Sequence, residues 1–193
     1  MPYVTFIGSE EQRLVKRLQE GDNTAAREFY ARYAGHLAGV CIRYIAYEED
    51  LKDVLQNAFA RIFSHIAEFE FRGPGSLLAW TKMIVVNESL KYLRTKEYHE
   101  VLKENYDIVD ENDDDIPSFS DIPPDVIRQM LNRLPTGYRT VLNLYILEGK
   151  SHQEIAALLG IGKDTSASQL HKAKRMLAKM IREYNDENPH DNE

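Results

Sequence analysis

Residues 151–181 read SHQEIAALLGIGKDTSASQLHKAKRMLAKMI. Two helical patterns meet at Leu159-Gly160-Ile161-Gly162. Ser151 followed by Glu154 is a capping box, which ties off the first backbone N–H groups of a helix. Ile155, Leu158 and Leu159 then fall at helical spacing. Beyond the glycines, Leu170, Ala173 and Leu177 line one side of a second helix that is rich in Lys and Arg elsewhere. A short helix, a glycine turn and a basic amphipathic helix make a helix-turn-helix pattern. An ordinary surface hairpin has the same outline, so the pattern alone leaves both readings open.

Working outward, Asp125–Leu134 has helical spacing through Val126, Ile127, Met130 and Leu134, and Pro135 breaks it. Gly137–Leu147 resumes with Tyr138, Val141, Leu142, Tyr145 and Ile146 before Glu148-Gly149. Residues 125–184 thus read as a domain of four helices, and the polar residues 185–193 as a frayed tail. Toward the N-terminus, Met1–Ser9 reads as a loose lead-in and Glu10–Gln19 as a helix stopped by Gly21-Asp22. Asp22 can cap a second helix with the apolar face Ala25, Ala26, Phe29, Tyr30, Tyr33, Leu37, Val40 and Cys41. Asp50–Ile66 is a third pattern, through Leu51, Val54, Ala58 and Ile62. Gly73-Pro74-Gly75 is a strong breaker, after which Ser76 or Leu77 opens a fourth helix through Trp80, Ile84, Val85, Leu90 and Leu93. No alternation suggests a sheet. The expected fold class is all-α, with two small helical domains at 10–96 and 125–184 joined by a flexible acidic linker at 97–124.

The net charge of −7 argues only superficially against nucleic acid, because distribution matters more than the sum. Residues 126–184 carry 10 basic and 4 acidic side chains, whereas residues 97–125 carry 1 and 11. The acidity lies in the linker and tail, and the opening stretch lies in the most basic segment. The single cysteine, Cys41, excludes an internal disulfide and sits in an apolar run as a core residue. No stretch resembles a signal peptide or a membrane span, which places the expected site of action in the cytoplasm.

Catalytic apparatus, cofactor motifs and metal sites are absent from the pattern. Gly160 and Gly162 follow no strand, so they are no dinucleotide fingerprint. The six histidines form no ligand pair at helical spacing, and Glu111–Asp115 lacks the glycine and terminal Glu of a calcium loop.

Two surfaces fit nucleic acid. In a helix-turn-helix, the first residues of the second helix reach base edges. Thr165, Ser166, Ser168, Gln169 and Lys172 lie there and are expected on its open faces, with Gln169 suited to adenine and Lys172 to guanine or phosphate. Lys174, Arg175, Lys179 and Arg182 suit backbone contacts. In the first domain, aromatic and basic residues interleave at Phe69, Phe71, Arg72, Trp80, Lys82, Asn87, Lys91, Tyr92 and Arg94, a composition that can stack unpaired bases and hold their backbone. Trp80 at helical spacing from Leu77 and Ile84 also fits a core position.

The whole arrangement resembles a bacterial sigma factor of the extracytoplasmic-function group in the sigma-70 family. The stretches that carry the resemblance are GDNTAAREFYARYAGHLAGVCIRY, DLKDVLQNAFARIF and GSLLAWTKMIVVNESLKYLR, then LPTGYRTVLNLYILEGKSHQEIAALLGIGKDTSASQLHKAKRML. The resemblance implies no enzyme activity. It implies that the first domain is sigma region 2 and the second region 4. The partners it implies are core RNA polymerase, duplex promoter DNA and the melted non-template strand, and it admits an anti-sigma protein. By position, Asp53, Gln56, Asn57 and Phe59 correspond to the segment that docks on polymerase. Phe71, Arg72, Ser76 and Trp80 correspond to the loop that captures a flipped −10 base, and Asn87 and Lys91 to the helix meeting the upstream part of that element. Thr165, Ser166, Ser168, Gln169, Lys172 and Arg175 correspond to the −35 reader. Three departures stand out: Asn57 replaces a common acidic residue, Gly73-Pro74 precedes Gly75-Ser76 in the loop, and Gly162 stands where many members have Ser. Two other readings remain: a helix-turn-helix regulator whose N-terminal domain binds a ligand or dimerises, and a helical adaptor that binds no DNA. The Asp53–Phe59 stretch argues against the first and the basic C-terminal domain against the second.

Overall fold

The computed structural model describes residues 3–94 and 122–188, with side chains from residue 10 onward. Residues 97–121 of the expected linker lie outside the described residues, whereas Ile122 is buried and Pro124 already begins a helix, so the second domain starts before the expected residue 125. The chain divides into two compact units, Met1–Tyr92 and Leu93–Glu193. Among the described residues every regular element is helical.

Unit 1 contains α1 (Tyr3–Gln19), α2 (Asn23–Cys41), α3 (Glu48–His65), a 3-10 turn at Ile66–Glu68, and α4 (Ser76–Leu93). Helix α1 starts at Tyr3, well before the expected Glu10. No proline interrupts residues 3–9, and the cost of Gly8, about 1 kcal/mol, is small against the length of the helix. At its other end Gly21 (φ 78°) turns the chain, and the Asp22 side chain accepts the Thr24 N–H at 2.7 Å to cap α2. Arg17 reaches both Asp22 and Glu28 at 2.8 Å, and its hydrogen bond holds the Asp22 carboxyl below the usual range.

The core of unit 1 is built from Phe29, Leu37, Cys41, Tyr44, Val54, Ala58, Ile62, Leu77 and Val85, each almost fully buried. Each large apolar side chain buried in this way contributes roughly 1.5–3 kcal/mol. Helix α4 is apolar around most of its circumference and fills the unit. Its small polar residues are satisfied along the helix: Thr81 donates to the Leu77 carbonyl at 2.9 Å, and Ser89 to Val85 at 2.8 Å. The Cys41 thiol lies 3.5 Å from the Ser89 hydroxyl, and burial pushes its pKa up.

Unit 2 contains α5 (Pro124–Arg133), α6 (Thr136–Ile146), α7 (His152–Leu159) and α8 (Lys163–Glu187). Helix α6 is the centre, with every residue from Gly137 to Leu144 buried. Arg139 is only 3% exposed, donates to the Asn132 carbonyl at 3.2 Å, and has its pKa lowered by burial. Helix α8 continues past Ile181 to Glu187, so residues 185–187 are helical rather than frayed. Asn188 ends it, donating its backbone N–H to the Tyr184 carbonyl at 3.0 Å and its side-chain amide to the same oxygen at 2.9 Å.

Candidate nucleic-acid interface

The turn between α7 and α8 is set by local chemistry. Ser151 and Glu154 form the full capping box: the Ser151 N–H donates to the Glu154 carboxylate at 2.9 Å, and the Ser151 hydroxyl accepts the Glu154 N–H at 3.3 Å. The Ser151 N–H also holds the Glu154 carboxyl below its ordinary pKa. Gly160 ends α7 in the left-handed conformation at φ 68°, where a side chain is strained. Gly162 is the N-cap of α8, with no side-chain cap bond. A Cβ there would lie 3.2 Å from the Thr165 hydroxyl, so a capping Ser would have to displace that side chain.

Helix α8 turns its faces differently from the sequence expectation. Ser166 and Gln169 do not lie on an open face: they are 0% and 1% exposed. They continue the inward stripe of Leu170 and Ala173 at positions i, i+3, i+4 and i+7. The His152 imidazole Nδ1 lies 3.0 Å from the Ser166 hydroxyl and stacks on Tyr145 with ring centroids 4.9 Å apart. His152 thus joins α6, α7 and α8. The open face of α8 carries Lys163, Asp164, Ala167 and His171, flanked by half-buried Thr165, Ser168, Lys172 and Arg175. Lys163 and His171, absent from the residues expected to read bases, share this open face by helical phase. Lys174 turns another way and lines an apolar groove with Leu142 and Leu177, and Lys179 pairs with Glu183 at 3.9 Å.

In unit 1, the segment from Phe69 to Ser76 links the 3-10 turn to α4. Gly73 (φ 122°) and Gly75 (φ 84°) both adopt conformations that favour glycine, with Pro74 between them, and the Ser76 N–H closes the turn on the Gly73 carbonyl at 3.1 Å. The Ser76 hydroxyl accepts the Arg72 N–H at 3.3 Å, while the exposed Arg72 guanidinium meets Glu70 at 3.3 Å. Phe69 is buried and tilts against half-buried Trp80, centroids 5.0 Å apart; Phe71 is half-buried. Trp80 is thus partly core and partly accessible. Along α4, Asn87 and Lys91 are exposed and follow Met83, which is 63% exposed, and Arg94 is exposed just beyond the helix. Glu88, buried beneath them, pairs with Arg61 at 3.2 Å and Lys91 at 3.8 Å. Met83 had no signal in a reading based on charge and aromaticity.

On α3, Asp53, Gln56 and Asn57 form one exposed polar face, and Phe59 is half-buried against Tyr30, centroids 5.0 Å apart. Unit 1 thus carries the polar α3 face and the loop with α4, and unit 2 carries the open face of α8. Among the described residues no helix is long and apolar enough to cross a membrane, and no cluster of His, Cys, Asp and Glu could hold a metal ion.

Residues 29–98 match the model of sigma-70 region 2, and residues 125–177 match that of sigma-70, region 4. An extracytoplasmic-function RNA polymerase sigma-E factor of Haemophilus influenzae is 30% identical over 182 residues, covering 89% of this chain and 95% of the relative. The RNA polymerase sigma-H factor of Pseudomonas aeruginosa is 24% identical, covering 89% and 94%. A solved chain described as CnrH in complex with the cytosolic domain of CnrY shares 22% identity at a TM-score of 0.47, covering 88% of this chain and 96% of that one. The two matched regions, in this order on an all-helical chain, and the full-length likeness to the Haemophilus protein show that this chain belongs to the extracytoplasmic-function group of the sigma-70 family, a promoter-directing initiation factor for RNA polymerase and no enzyme.

Proposed function

We propose a division of labour within this initiation factor, with residues 10–96 and 125–184 as its two working domains and 97–124 as their linker. The exposed face of α3, with Asp53, Gln56 and Asn57 beside Phe59, docks on core polymerase in the cytoplasm. The loop at Phe71, Arg72 and Ser76, with Trp80 behind it, captures a base of the melted non-template strand. Asn87 and Lys91 on α4 hold the upstream part of the same −10 element. In unit 2, α8 lies in the major groove of the −35 element.

The observation that carries the −35 assignment is the phase of α8. Lys163, Ser168, His171, Lys172 and Arg175 share or flank one open side at the start of a long helix that follows a tight turn. That is the geometry with which a recognition helix presents side chains to base edges. Ser166 and Gln169 support the helix from within and leave the set of base-reading residues. Cations of this type exchange for the counterions of DNA, so binding falls steeply with salt.

Reconstitution with core polymerase on a promoter library randomised in two blocks tests the reading. Enrichment of both blocks, with Lys172→Ala relaxing the −35 preference at one position and leaving the −10 block unchanged, is expected. Enrichment of neither block, or loss of both together, sinks the assignment.

A further inference from the structure

Glu11 is 3% exposed, although it lies on α1, far from the loop in sequence. Its carboxylate accepts the Gly75 N–H at 2.6 Å and the Leu77 N–H at 2.9 Å. These donors are the last turn of the loop and the first turn of α4. A second α1 residue holds the other end of the same segment: the Gln19 amide donates to the Phe69 carbonyl at 2.8 Å and the Ile66 carbonyl at 3.2 Å. Between the two anchors lies a cleft of about 420 Å³, lined by Arg13, Val15, Lys16, Phe69 and Phe71 among others. The segment 66–77 is therefore fixed at both ends by one helix, which also lines the cleft beside Phe71.

We infer that α1 is a brace for the base-capturing loop and that Glu11 is its positioning residue. The inference rests on the −10 role proposed for that loop. Gly73 and Gly75 give the loop backbone freedom that a captured base must not meet as disorder; a loop already held in one conformation spares the ordering cost when the base arrives. A carboxylate on two backbone N–H groups is a charge-assisted pair, roughly twice as strong as neutral bonds. It also sits at the N-terminus of α4, where negative charge is favoured. Glutamine at this position keeps one acceptor oxygen and presents an N–H group to the second donor, so it removes one bond and adds a clash of donors. Gly75 and Leu77 then lose their common partner, and Phe71, Arg72 and Ser76 sample more positions.

The test uses holoenzyme reconstituted with core polymerase and a duplex promoter library randomised separately across the −10 and −35 blocks. Wild-type holoenzyme is expected to enrich a base preference in each block. Glu11→Gln holoenzyme is expected to lose about tenfold of its −10 enrichment, one charge-assisted hydrogen bond in free-energy terms, with the −35 enrichment intact. Glu11→Asp, which keeps the charge at a shorter reach, recovers part of the −10 preference. In the free protein, amide exchange at Gly75 and Leu77 speeds up in Glu11→Gln while the amides of α2 keep their rates. A mere loss of folding would instead lower both enrichments and release amides throughout unit 1; in that event Gln19→Ala, which loosens the opposite anchor, carries the same −10 comparison. Unchanged −10 enrichment in Glu11→Gln, or in Gln19→Ala where it is needed, overturns the inference. A wild-type holoenzyme that enriches the −35 block and nothing at −10 overturns the loop reading itself.

Discussion

The imidazole of His152, at the start of α7, meets the hydroxyl of Ser166, in the first turn of α8, at 3.0 Å. This contact joins the two helices of the helix-turn-helix through side chains, beyond what the glycine turn provides. Tyr145 of α6 stacks on the same ring, so one imidazole links three helices.

Ser166→Ala should therefore act on stability and leave base preference alone. Removing one side-chain hydrogen bond costs about 1 kcal/mol. Urea unfolding of the full chain should show the shift, and promoter selection should give the wild-type −35 sequence. A changed −35 preference at unchanged stability would contradict the inward placement.

Gln169→Ala and Lys172→Ala should separate in the same way, although the two residues are near neighbours. Gln169 is 1% exposed, so its loss is expected to cost about 1–3 kcal/mol of stability without respecifying the site. Lys172→Ala should relax −35 preference at one position. Lys179→Ala, at a side chain 77% exposed and paired with Glu183, should weaken binding to all sequences alike and reduce the salt slope by about 1. Competition binding at several salt concentrations reads all three.

Cys41 should resist thiol reagents in the folded protein. Its side chain is fully buried and burial raises its pKa, so the thiolate that reacts is scarce and shielded. A chromogenic disulfide reagent should label it only in denaturant, at a rate set by unfolding. Rapid labelling of native protein would place the thiol outside the core.

Acid should remove stabilising contributions at both ends of the chain. The Asp22 carboxyl, bonded by Arg17, and the Glu154 carboxyl, bonded by Ser151, have pKa values lowered from 3.8 and 4.5. A lowered folded-state pKa means that the contribution is present above the unfolded value and is lost as pH falls through the folded value. Both groups face solvent, so each effect is small. Thermal unfolding followed downward from neutral pH should show the acid limb flatten in Asp22→Asn and Glu154→Gln. An identical acid limb in both variants would remove these carboxyls from its origin.

Most of the helices were legible because helical periodicity is local. Asp22, Ser151 and Gly160 announced their caps and turn, and the Leu170–Ala173 stripe announced the inward face of α8. The same stripe contained the information about Ser166 and Gln169, since both fall on it at i−4 and i−1 from Leu170. Their polar type argued for the surface and concealed it. Helix α1 was underestimated because residues 3–9 have weak helical signals of their own. Asp53, Gln56 and Asn57 were placed by resemblance, and their shared exposure on α3 follows from spacing alone.

The sequence by itself determined an all-helical chain, a capped helix-turn-helix near the C-terminus and the segregation of basic from acidic segments. Each depends on residues within a few positions of one another. Only the tertiary structure decided which polar residues of α8 support the unit and which face outward, because burial of a hydroxyl or an amide requires a partner from another element. Only the tertiary structure set Glu11 against Gly75, 64 residues along the chain, and so revealed that α1 holds the loop before α4. A carboxylate on an amphipathic helix looks solvated in sequence; it becomes an anchor when folding buries it against two backbone N–H groups at the start of another helix.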